Sequence, residues 1–487
     1  MIPQFNRTMT RSSANTNRHL GTRLKEWISS HAALFAVLIT VLAAALRVFH
    51  LGARSLNLDE GFSIFLARAS VSEFWSFVRL GEFNMVLYYS LLRGVSGVAS
   101  TEAAYRSLSA FFGIITIPVL YMLGRRLYGP VAGLTAALLF AIHPYAIAIS
   151  QLARSYALVV LLAGLSSWLL LTFLERPSWR TAFGYAAFTA CAVYSHIFAL
   201  LLIAAQLVWL LVFRRERLSV IVAAAFGTLL LLLLPMFFLI ARANGSGLAW
   251  VAPLSLAQIR YVPYALTLSR GRSLLYVLVW GIALFAAHRD RTGESRSNDS
   301  LVILWLTLPP AITILASLLK PLLVERYLAI CLPAAVLLAV RGLLYLAAYV
   351  RAVAVVLFVL IMLYSVGSIR FYFRHPNYGE NWRAVIEHVL SNASPGDDIV
   401  VDPYTRFTFD YYARRRSSSA REVRISADLS SAVSAMPQPN VIWVLGRGSD
   451  QSAVQQFENS QGQYCLAREP MPMQELGVWK LYRCRKH

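Results

Sequence analysis

The apolar run AALFAVLITVLAAALRVF (residues 32–49) is followed within a few residues by Arg54-Ser-Leu-Asn-Leu-Asp59-Glu60-Gly61-Phe62. The run is close to the length that an α-helix needs to cross a bilayer. The adjacent carboxylates Asp59 and Glu60 therefore lie near a membrane surface. Because a carboxylate at membrane depth costs about 2.5–3.5 kcal/mol on insertion scales, this pair is a candidate functional site.

The same pair also has a purely structural interpretation. Asp59 can be the N-cap of the helix that contains Phe62, with Glu60 in its first turn. A carboxylate there satisfies free N–H groups and interacts favourably with the helix dipole. This stretch alone does not separate the two interpretations.

The composition predicts a polytopic helical membrane protein. The chain has 487 residues, 57% of them hydrophobic and only 14% charged, and apolar runs of roughly 20 residues recur along it. The net charge of +21 comes mostly from Lys and Arg between these runs, which indicates topology and attraction to anionic lipid or lipid phosphate. No basic stretch is interleaved with aromatic residues in a soluble segment, so we expect no nucleic-acid partner.

The charge distribution predicts which ends of the apolar runs face outward. Residues 1–31 form a polar tail with five basic residues and one acid, which we expect in the cytoplasm, so that Asp59 and Glu60 are external. Residues 84–99 are too short and too interrupted to span, so we predict interfacial helices in a first external loop, residues 51–105. The later arginine clusters then all face the cytoplasm.

We therefore expect an integral protein of the plasma (inner) membrane with about eleven transmembrane helices, in a range of about 10–13. The predicted spans are residues 32–50, 106–124, 130–150, 156–174, 181–195, 197–213, 218–240, 273–288, 300–318, 327–347 and 351–371. The transmembrane domain covers residues 32–371, and the C-terminus is periplasmic or extracellular.

Residues 372–487 alternate helical and strand patterns, which predicts a small external α/β domain. The predicted helices are 381–390, 406–416 and 452–459, and the predicted strands are 399–402, 440–445, 464–466 and 478–482. Cys465 and Cys484 lie on or beside neighbouring strands and can form a disulfide outside the cytoplasm. Cys191 and Cys331 lie in apolar runs and are expected to be small core residues.

Polar residues from four separate loops meet at the predicted external face. They are Asp59, Glu60, Gln151, Arg154, Ser155, Tyr156, His196, Lys320, Glu325, Arg326 and Tyr327. An enzyme site needs acidic groups, groups that can act as a base and cationic groups together on one face. No cysteine and histidine spacing typical of a metal site occurs.

Each of these residues also has a structural alternative. Arg154 can extend to the membrane surface, and Arg326 can pair with Glu325 or with lipid headgroups. His196 can be a packed, hydrogen-bonded residue, Lys320 an interfacial anchor, and the pair Tyr88 and Tyr89 an interfacial aromatic pair.

Several short motifs occur in a fixed order along residues 32–340. They are Asp59-Glu60, Tyr88-Tyr-Ser-Leu-Leu-Arg93, Tyr105-Arg106-Ser-Leu-Ser109, Gly124-Arg-Arg-Leu-Tyr-Gly129, Ser150-Gln-Leu-Ala-Arg154-Ser-Tyr156, Tyr194-Ser-His196 and Glu325-Arg326-Tyr327-Leu328. In this order they resemble glycosyltransferase family 39, which contains the protein O-mannosyltransferases and the lipid A aminoarabinose transferases. The resemblance implies the GT-C fold.

Two positions depart from the family pattern. The family often has His-Pro-Pro-Leu-Tyr where residues 84–88 read Asn-Met-Val-Leu-Tyr, and it commonly has Gln-Glu-Ala-Arg where Leu152 here replaces the glutamate. The missing second acid disfavours a divalent metal, and no other cofactor is expected.

The resemblance implies a membrane glycosyltransferase whose sugar donor is a polyprenyl phosphate. Asp59 is then the general base of an inverting transfer, and Glu60 orients it or the sugar. Arg154, Arg326 and Arg106 are expected to bind the donor phosphate. The further substrate contacts are Tyr88, Gln151, Tyr156, His196, Lys320 and Tyr327. The acceptor is a hydroxyl of a protein, a lipid or a glycan.

Three other functions compete with this one. A transporter or flippase of lipid-linked sugars also needs charged residues at membrane depth, although its polar groups usually lie near the mid-membrane. An O-antigen ligase or polymerase would share the donor and the face, but the chain shows no resemblance to those. A non-catalytic scaffold of the cell envelope is the third alternative.

Overall fold

The computed structural model describes residues 27, 30–98, 100–242, 251–268, 270–289, 293–376, 381–393, 398–401, 405–414, 423–425, 442–447, 469–470 and 479–484. Most of these residues are helical. The α-helices are α1 (Ala32–Val48), α2 (Leu58–Arg68), α3 (Val71–Leu80), α4 (Val86–Ser96), α5 (Glu102–Tyr128), α6 (Pro130–Ala141), α7 (Pro144–Ser150), α8 (Tyr156–Glu175), α9 (Trp179–Ser195), α10 (Ala199–Phe213), α11 (Val220–Arg242), α12 (Leu256–Thr267), α13 (Arg270–Arg289), α14 (Gly293–Ser317), α15 (Leu332–Tyr349), α16 (Arg351–Arg374), α17 (Trp382–Asn392) and α18 (Arg406–Ala413). Among the described residues, three 3-10 helices cover Glu82–Met85, Arg215–Arg217 and Glu325–Cys331.

The helices confirm a polytopic membrane protein. Seven of the described helices are long and apolar enough to cross a membrane: α5, α8, α11, α13, α14, α15 together with its preceding 3-10 turn, and α16. Helices α6 and α7 form an eighth candidate, bent by 61°. Each of the eleven predicted spans coincides with a helix or with this bent pair. However, α1, α9 and α10 have only 17, 17 and 15 residues, fewer than the roughly 20 of a typical span.

The candidate spans differ in how deeply they lie within the protein. The span that contains α15 is 83% buried, whereas those of α11, α13 and α16 are each 28% buried. The peripheral helices therefore expose many apolar side chains, which is expected for helices that lipid surrounds in place of water. Cys331 is buried at the start of α15 and Cys191 is half-buried in α9, as predicted for small core residues, and both are free thiols.

Between α1 and α5 the chain forms three short helices and a 3-10 turn. Helices α2, α3 and α4 have 11, 10 and 11 residues, which is too short to cross a bilayer. The prediction that residues 51–105 form a loop of short helices agrees with this arrangement. Helix α5 begins at Glu102, a turn before the predicted span, because Thr101 caps it by accepting the N–H of Ala104 at 3.2 Å.

The C-terminal part contains a five-stranded sheet in the order β2-β1-β3-β5-β4. The strands are β1 (Asp398–Val401), β2 (Val423–Ile425), β3 (Ile442–Arg447), β4 (Glu469–Pro470) and β5 (Trp479–Cys484). Strand β1 is parallel to β2 and β3, whereas β5 is antiparallel to β3 and β4. Three predicted strands and two predicted helices coincide with β1, β3, β5, α17 and α18. Strands β2 and β4 were not predicted.

Some C-terminal predictions fall on residues that the structure does not describe. The helix 452–459 and the strand 464–466 lie outside the described ranges. The Cys465–Cys484 disulfide is likewise untested, because Cys465 and the side chain of Cys484 are outside them. The external placement of residues 372–487 as a separate domain stays a prediction.

Helix α18 packs directly against α2, behind Asp59. Gly61 approaches Thr408 so closely that a Cβ at Gly61 would lie 2.9 Å from the Cα of Thr408. The hydroxyl of Tyr412 accepts the backbone N–H of Leu56 at 2.8 Å. The ring of Phe407 lies 4.6 Å, centroid to centroid, from Phe65. The C-terminal helix thus holds the segment that carries the two carboxylates.

We expect Gly61→Ala to weaken this contact. The added methyl group meets backbone atoms of Thr408, which cannot rotate away, and overpacking of this kind costs about 1–3 kcal/mol. The melting temperature in detergent should fall, and residues 405–414 should become more sensitive to proteolysis. Gly94→Ala in α4 is the matched control, because a Cβ there has no neighbour within 4 Å. Equal melting temperatures for the two variants would contradict the close packing.

Candidate functional site

The N-terminus of α2 is fixed by a capping box. The N–H of Glu60 donates to Oδ1 of Asn57 at 2.8 Å, and the N–H of Asn57 donates to Oε2 of Glu60 at 3.1 Å. The prediction of Asp59 as the N-cap is therefore wrong. Asn57 is the N-cap because Glu60, three residues later, completes the reciprocal pair. The Asp59 side chain takes no part in the box and is 38% exposed.

Glu60 and Arg106 form a buried ion pair. Arg106 Nε donates to Oε1 of Glu60 at 2.7 Å, and Nη2 donates to Oε2 at 2.8 Å. Both side chains are 1% exposed. The N–H of Ala153 also donates to Oε1 of Glu60 at 2.9 Å. One carboxylate therefore connects α2, α5 and the loop between α7 and α8.

The remaining donors of Arg106 are also used within the protein. Nη1 donates to the carbonyls of Leu51 and Arg54 at 3.2 and 2.9 Å, and Nη2 donates to that of Ser55 at 2.9 Å. A phosphate contact through Arg106 would require these bonds to break. We therefore assign Arg106 and Glu60 to holding α2 in place and not to direct contact with substrate.

Asp59, Arg154 and Arg326 lie together at the exposed side of α2. Arg326 Nη1 lies 3.2 Å from Oδ2 of Asp59, and the Arg326 side chain is 41% exposed. Arg154 is 8% exposed. Its Nη1 donates at 3.3 Å each to the Asp59 carbonyl, Ser63 Oγ and the Tyr89 hydroxyl. Arg154 is thus held inside the protein and does not extend to the membrane surface, whereas Arg326 meets Asp59 from the start of the α15 span.

His196, Tyr156 and Tyr327 form the wall beside these arginines. The His196 ring lies 4.8 Å from Tyr327 and 5.9 Å from Tyr156. His196 is 1% exposed, and its Nδ1 accepts the N–H of Phe198 at 3.3 Å. His196 is therefore packed and hydrogen-bonded in the structure, and its role as a substrate contact stays a prediction.

Burial, followed by the positive charges of Arg154 and Arg326, lowers the pKa of His196 to about 3. The imidazole is therefore neutral at physiological pH. Its Nε2 and the Tyr156 hydroxyl have no hydrogen-bond partner within the described ranges. Neutral polar groups left in this way are available to a ligand.

The other predicted site residues have different positions. Tyr88 is fully buried, and its hydroxyl shares a 2.8 Å hydrogen bond with Ser109 Oγ. Because Tyr89 is only 2% exposed, the interpretation of the two tyrosines as an interfacial pair is wrong. Gln151 Nε2 donates to the carbonyls at the end of α1, those of Arg47 and Phe49. Lys320 is exposed in the loop that follows α14.

Ser63 and Glu82 were not expected at the site, and Tyr89 was expected only as an interfacial aromatic residue. Tyr89 and Ser63 hold Arg154, and Ser63 follows Asp59 by one helical turn, which was a usable signal. Glu82 supplies a second carboxylate within electrostatic reach of Asp59 and Arg154. Partial loss of hydration raises the pKa of Glu82. The positive charge of Arg154 opposes this rise, and the negative charge of Asp59 adds to it. Across the part of the chain that the structure describes, no group of three or more His, Cys, Asp or Glu side chains could hold a metal ion.

Comparison with known proteins identifies the fold. Residues 89–241 match the family model of dolichyl-phosphate-mannose-protein mannosyltransferase, and no curated protein matches the chain by sequence. The structure is similar to ArnT from Cupriavidus metallidurans bound to undecaprenyl phosphate, with a TM-score of 0.59 and 13% identity over 92% of this chain and 97% of that one. The chain has the GT-C fold.

A second GT-C neighbour is the oligosaccharyltransferase AglB from Archaeoglobus fulgidus, solved with an inhibitory peptide and a dolichol-phosphate. The TM-score is 0.53 with 11% identity, over 80% of this chain and 64% of the archaeal chain. The fold expected from the ordered motifs is therefore confirmed, and it extends beyond the matched residues 89–241.

We expect Arg106→Ala to destabilise the protein strongly. It leaves Glu60 as an uncompensated buried charge, which typically costs about 3–5 kcal/mol. The control is Arg126→Ala, which removes the partner of Glu175, a side chain that is 54% exposed. Exposed pairs contribute about 0–1 kcal/mol. The measurement is the melting temperature of each variant in detergent. Equal decreases for Arg106→Ala and Arg126→Ala would refute the structural role assigned to Arg106.

The lowered pKa of His196 predicts that the stability of the folded chain depends on pH. An unfolded histidine titrates near a pKa of about 6.5, whereas His196 in the folded chain stays neutral down to about pH 3. As the pH falls through this window the unfolded chain binds the additional proton first, so stability decreases. His196→Gln should reduce this acid-side loss of stability in a series of melting temperatures measured between pH 7 and acid pH. An unchanged slope in His196→Gln would contradict the prediction.

Proposed function

We propose that this chain is an integral membrane glycosyltransferase that moves a sugar from a polyprenyl-phosphate donor to an acceptor hydroxyl, with inversion. The observation that carries the proposal is the half-exposed Asp59 carboxylate, 3.2 Å from Arg326 and beside the buried Arg154. Its setting is a fold shared with ArnT, which was solved with undecaprenyl phosphate.

The two arginines are suited to a phosphate leaving group. Arg326 reaches the exposed side and offers its planar donors to phosphate oxygens. Arg154 is buried, so its charge is poorly screened and stabilises negative charge that grows on the phosphate. The neutral His196 and the Tyr156 hydroxyl add hydrogen bonds to the phosphate or the sugar.

Asp59 is the proposed base. The donor phosphate competes with Asp59 for Arg326, and an Asp59 carboxylate released in this way can accept a proton. The acceptor oxygen then forms a bond to the anomeric carbon while the bond from that carbon to the phosphate oxygen breaks. The hydroxyl proton passes to Asp59, and the bonding electron pair leaves with polyprenyl phosphate. Because phosphate is a good leaving group, no protonating acid is needed.

Glu60 and Arg106 act as positioning residues in this proposal. Glu60 closes the capping box and binds the Ala153 N–H, so it sets the distance between the segments that carry Asp59 and Arg154. We place the reaction on the external face of the inner membrane, because the basic segments between spans favour the cytoplasm. The acceptor is a hydroxyl of a protein, a lipid or a glycan.

We expect Asp59→Asn to reduce transfer by at least about 100-fold, since a positioned general base contributes about 10²–10⁴ in rate. The assay incubates purified protein with a polyprenyl-phosphate sugar and an acceptor extract and measures released polyprenyl phosphate. Glu73→Gln, at an exposed carboxylate of α3, is the control and should retain activity. Melting temperatures confirm that both variants are folded.

Two results would overturn the proposal. Retained transfer in Asp59→Asn would remove Asp59 as the base. Movement of the lipid-linked sugar across proteoliposomes without release of polyprenyl phosphate would instead support a transporter.

A further inference from the structure

The break between α6 and α7 contains an unusual arginine. The two helices bend by 61°, which exposes the last carbonyls of α6. Arg47, from the last turn of α1, donates to the carbonyls of Phe140 and Ala141 at 3.3 and 3.0 Å. Arg47 is fully buried, and its Nε has no hydrogen-bond partner in the described part of the chain.

A second buried arginine and a histidine lie in the same region of the protein. Arg272, in the first turn of α13, is 0% exposed, and its Nη1 donates to Ser365 Oγ of α16 at 3.4 Å. His143, at the break, is 1% exposed and lies 5.9 Å from the ring of Tyr276, one helical turn after Arg272. His143 is within electrostatic reach of both arginines. We call Arg47, His143 and Arg272 the basic cluster.

Both Nη atoms of Arg47 are used, since Nη1 also donates to the Ala43 carbonyl at 3.3 Å, but other donors of the basic cluster are unused. Arg272 Nε and Nη2, both ring nitrogens of His143 and Arg47 Nε have no partner among the described residues. In the same ranges no ion pair joins either arginine to a carboxylate, in contrast to the buried Arg106, which is paired with Glu60.

Burying a cation without a counter-charge costs several kcal/mol. An anion that meets the unused donors removes this cost. Phosphate fits best, because the unused Nε and Nη2 of Arg272 form a planar fork that matches two phosphate oxygens, and Arg47 Nε and an imidazole N–H add further donors.

We propose that the basic cluster is a second phosphate-binding site, separate from the site of Asp59, Arg154 and Arg326. The two sites share no residue. Helix α7 lies between them: its Tyr145 hydroxyl donates to the Arg326 carbonyl at 3.4 Å, whereas His143, which precedes the helix, faces Tyr276.

The position of the basic cluster fits the depth of a lipid headgroup. Arg47 is in the last turn of α1 and Arg272 in the first turn of α13, so both lie near the ends of their helices. Access requires α13 and α16 to separate. These are peripheral helices, and each candidate span is only 28% buried. Lipid phosphate reaches such a position by lateral diffusion, and free phosphate can reach it from the aqueous side.

The test uses the full chain, delipidated in a neutral detergent. In one arm inorganic phosphate is titrated and its binding is measured calorimetrically. In the other arm the protein is reconstituted in nanodiscs of phosphatidylcholine with or without phosphatidic acid, and its melting temperature is measured. Arg272→Gln and Arg272→Lys are compared with Arg326→Gln, which alters only the site beside Asp59.

We expect phosphate or phosphatidic acid to stabilise the wild type and Arg326→Gln. Arg272→Gln should bind at least tenfold more weakly at this site, and Arg272→Lys, which keeps the charge but loses the fork, should be intermediate. Without phosphate, Arg272→Gln should melt at or above the wild-type temperature, because it removes an unpaired buried cation. A purely structural arginine predicts the opposite.

The two arms separate the sources of phosphate. A response to both identifies phosphate itself as sufficient, and a response to phosphatidic acid alone identifies a lipid headgroup. No response in either arm, or equal responses in wild type and Arg272→Gln, overturns the proposal. Loss of the response in Arg326→Gln but not in Arg272→Gln also overturns it, because all binding would then belong to the Asp59 site.

Discussion

The buried ion pair between Glu60 and Arg106 is the constraint on which the rest of the site depends. One carboxylate accepts four hydrogen bonds: two from Arg106, one from the Ala153 N–H and one from the Asn57 N–H. Removal of either charge would leave the other unpaired in a dry interior, so the three segments are held as a unit. The two neighbouring acids therefore differ in role. Glu60 uses its carboxylate for hydrogen bonds within the protein, whereas the Asp59 carboxylate is half-exposed.

Arginines in this protein occupy three distinct electrostatic states. Arg106 is matched by a carboxylate, and Arg154 is held by a carbonyl and two hydroxyls without a full counter-charge. Arg47 and Arg272 are buried with donors that have no partner in the described ranges. These states differ mainly in how far protein groups replace the water that a guanidinium loses on burial. The arginines with the fewest such partners would therefore be stabilised most by a bound phosphate.

Sequence patterns predicted the helices, the loop of short helices and the grouping of Asp59, Arg154, His196 and Arg326 near one another. Hydrophobic length and the distribution of arginines determine these features locally. The cap at Asn57 was missed because Ser55, Asn57 and Asp59 can each serve as an N-cap. The role of Glu60 depends on a partner 46 residues away, and local patterns carry no information about such a distance. Nothing in the sequence separates Arg47 and Arg272 from other arginines near the ends of apolar runs, since burial without a counter-ion is visible only in three dimensions.

The contact between α2 and α18 has a consequence for the order in which the protein is assembled. The Tyr412 hydroxyl that receives the Leu56 N–H lies 356 residues further along the chain. When the first loop emerges from the ribosome, its partner helix has not yet been synthesised. The turn that carries Asp59 therefore acquires its final support only after all the membrane helices have been made. A chain released early would contain Asp59, Arg154 and Arg326 but not the helix that holds Asp59 in place.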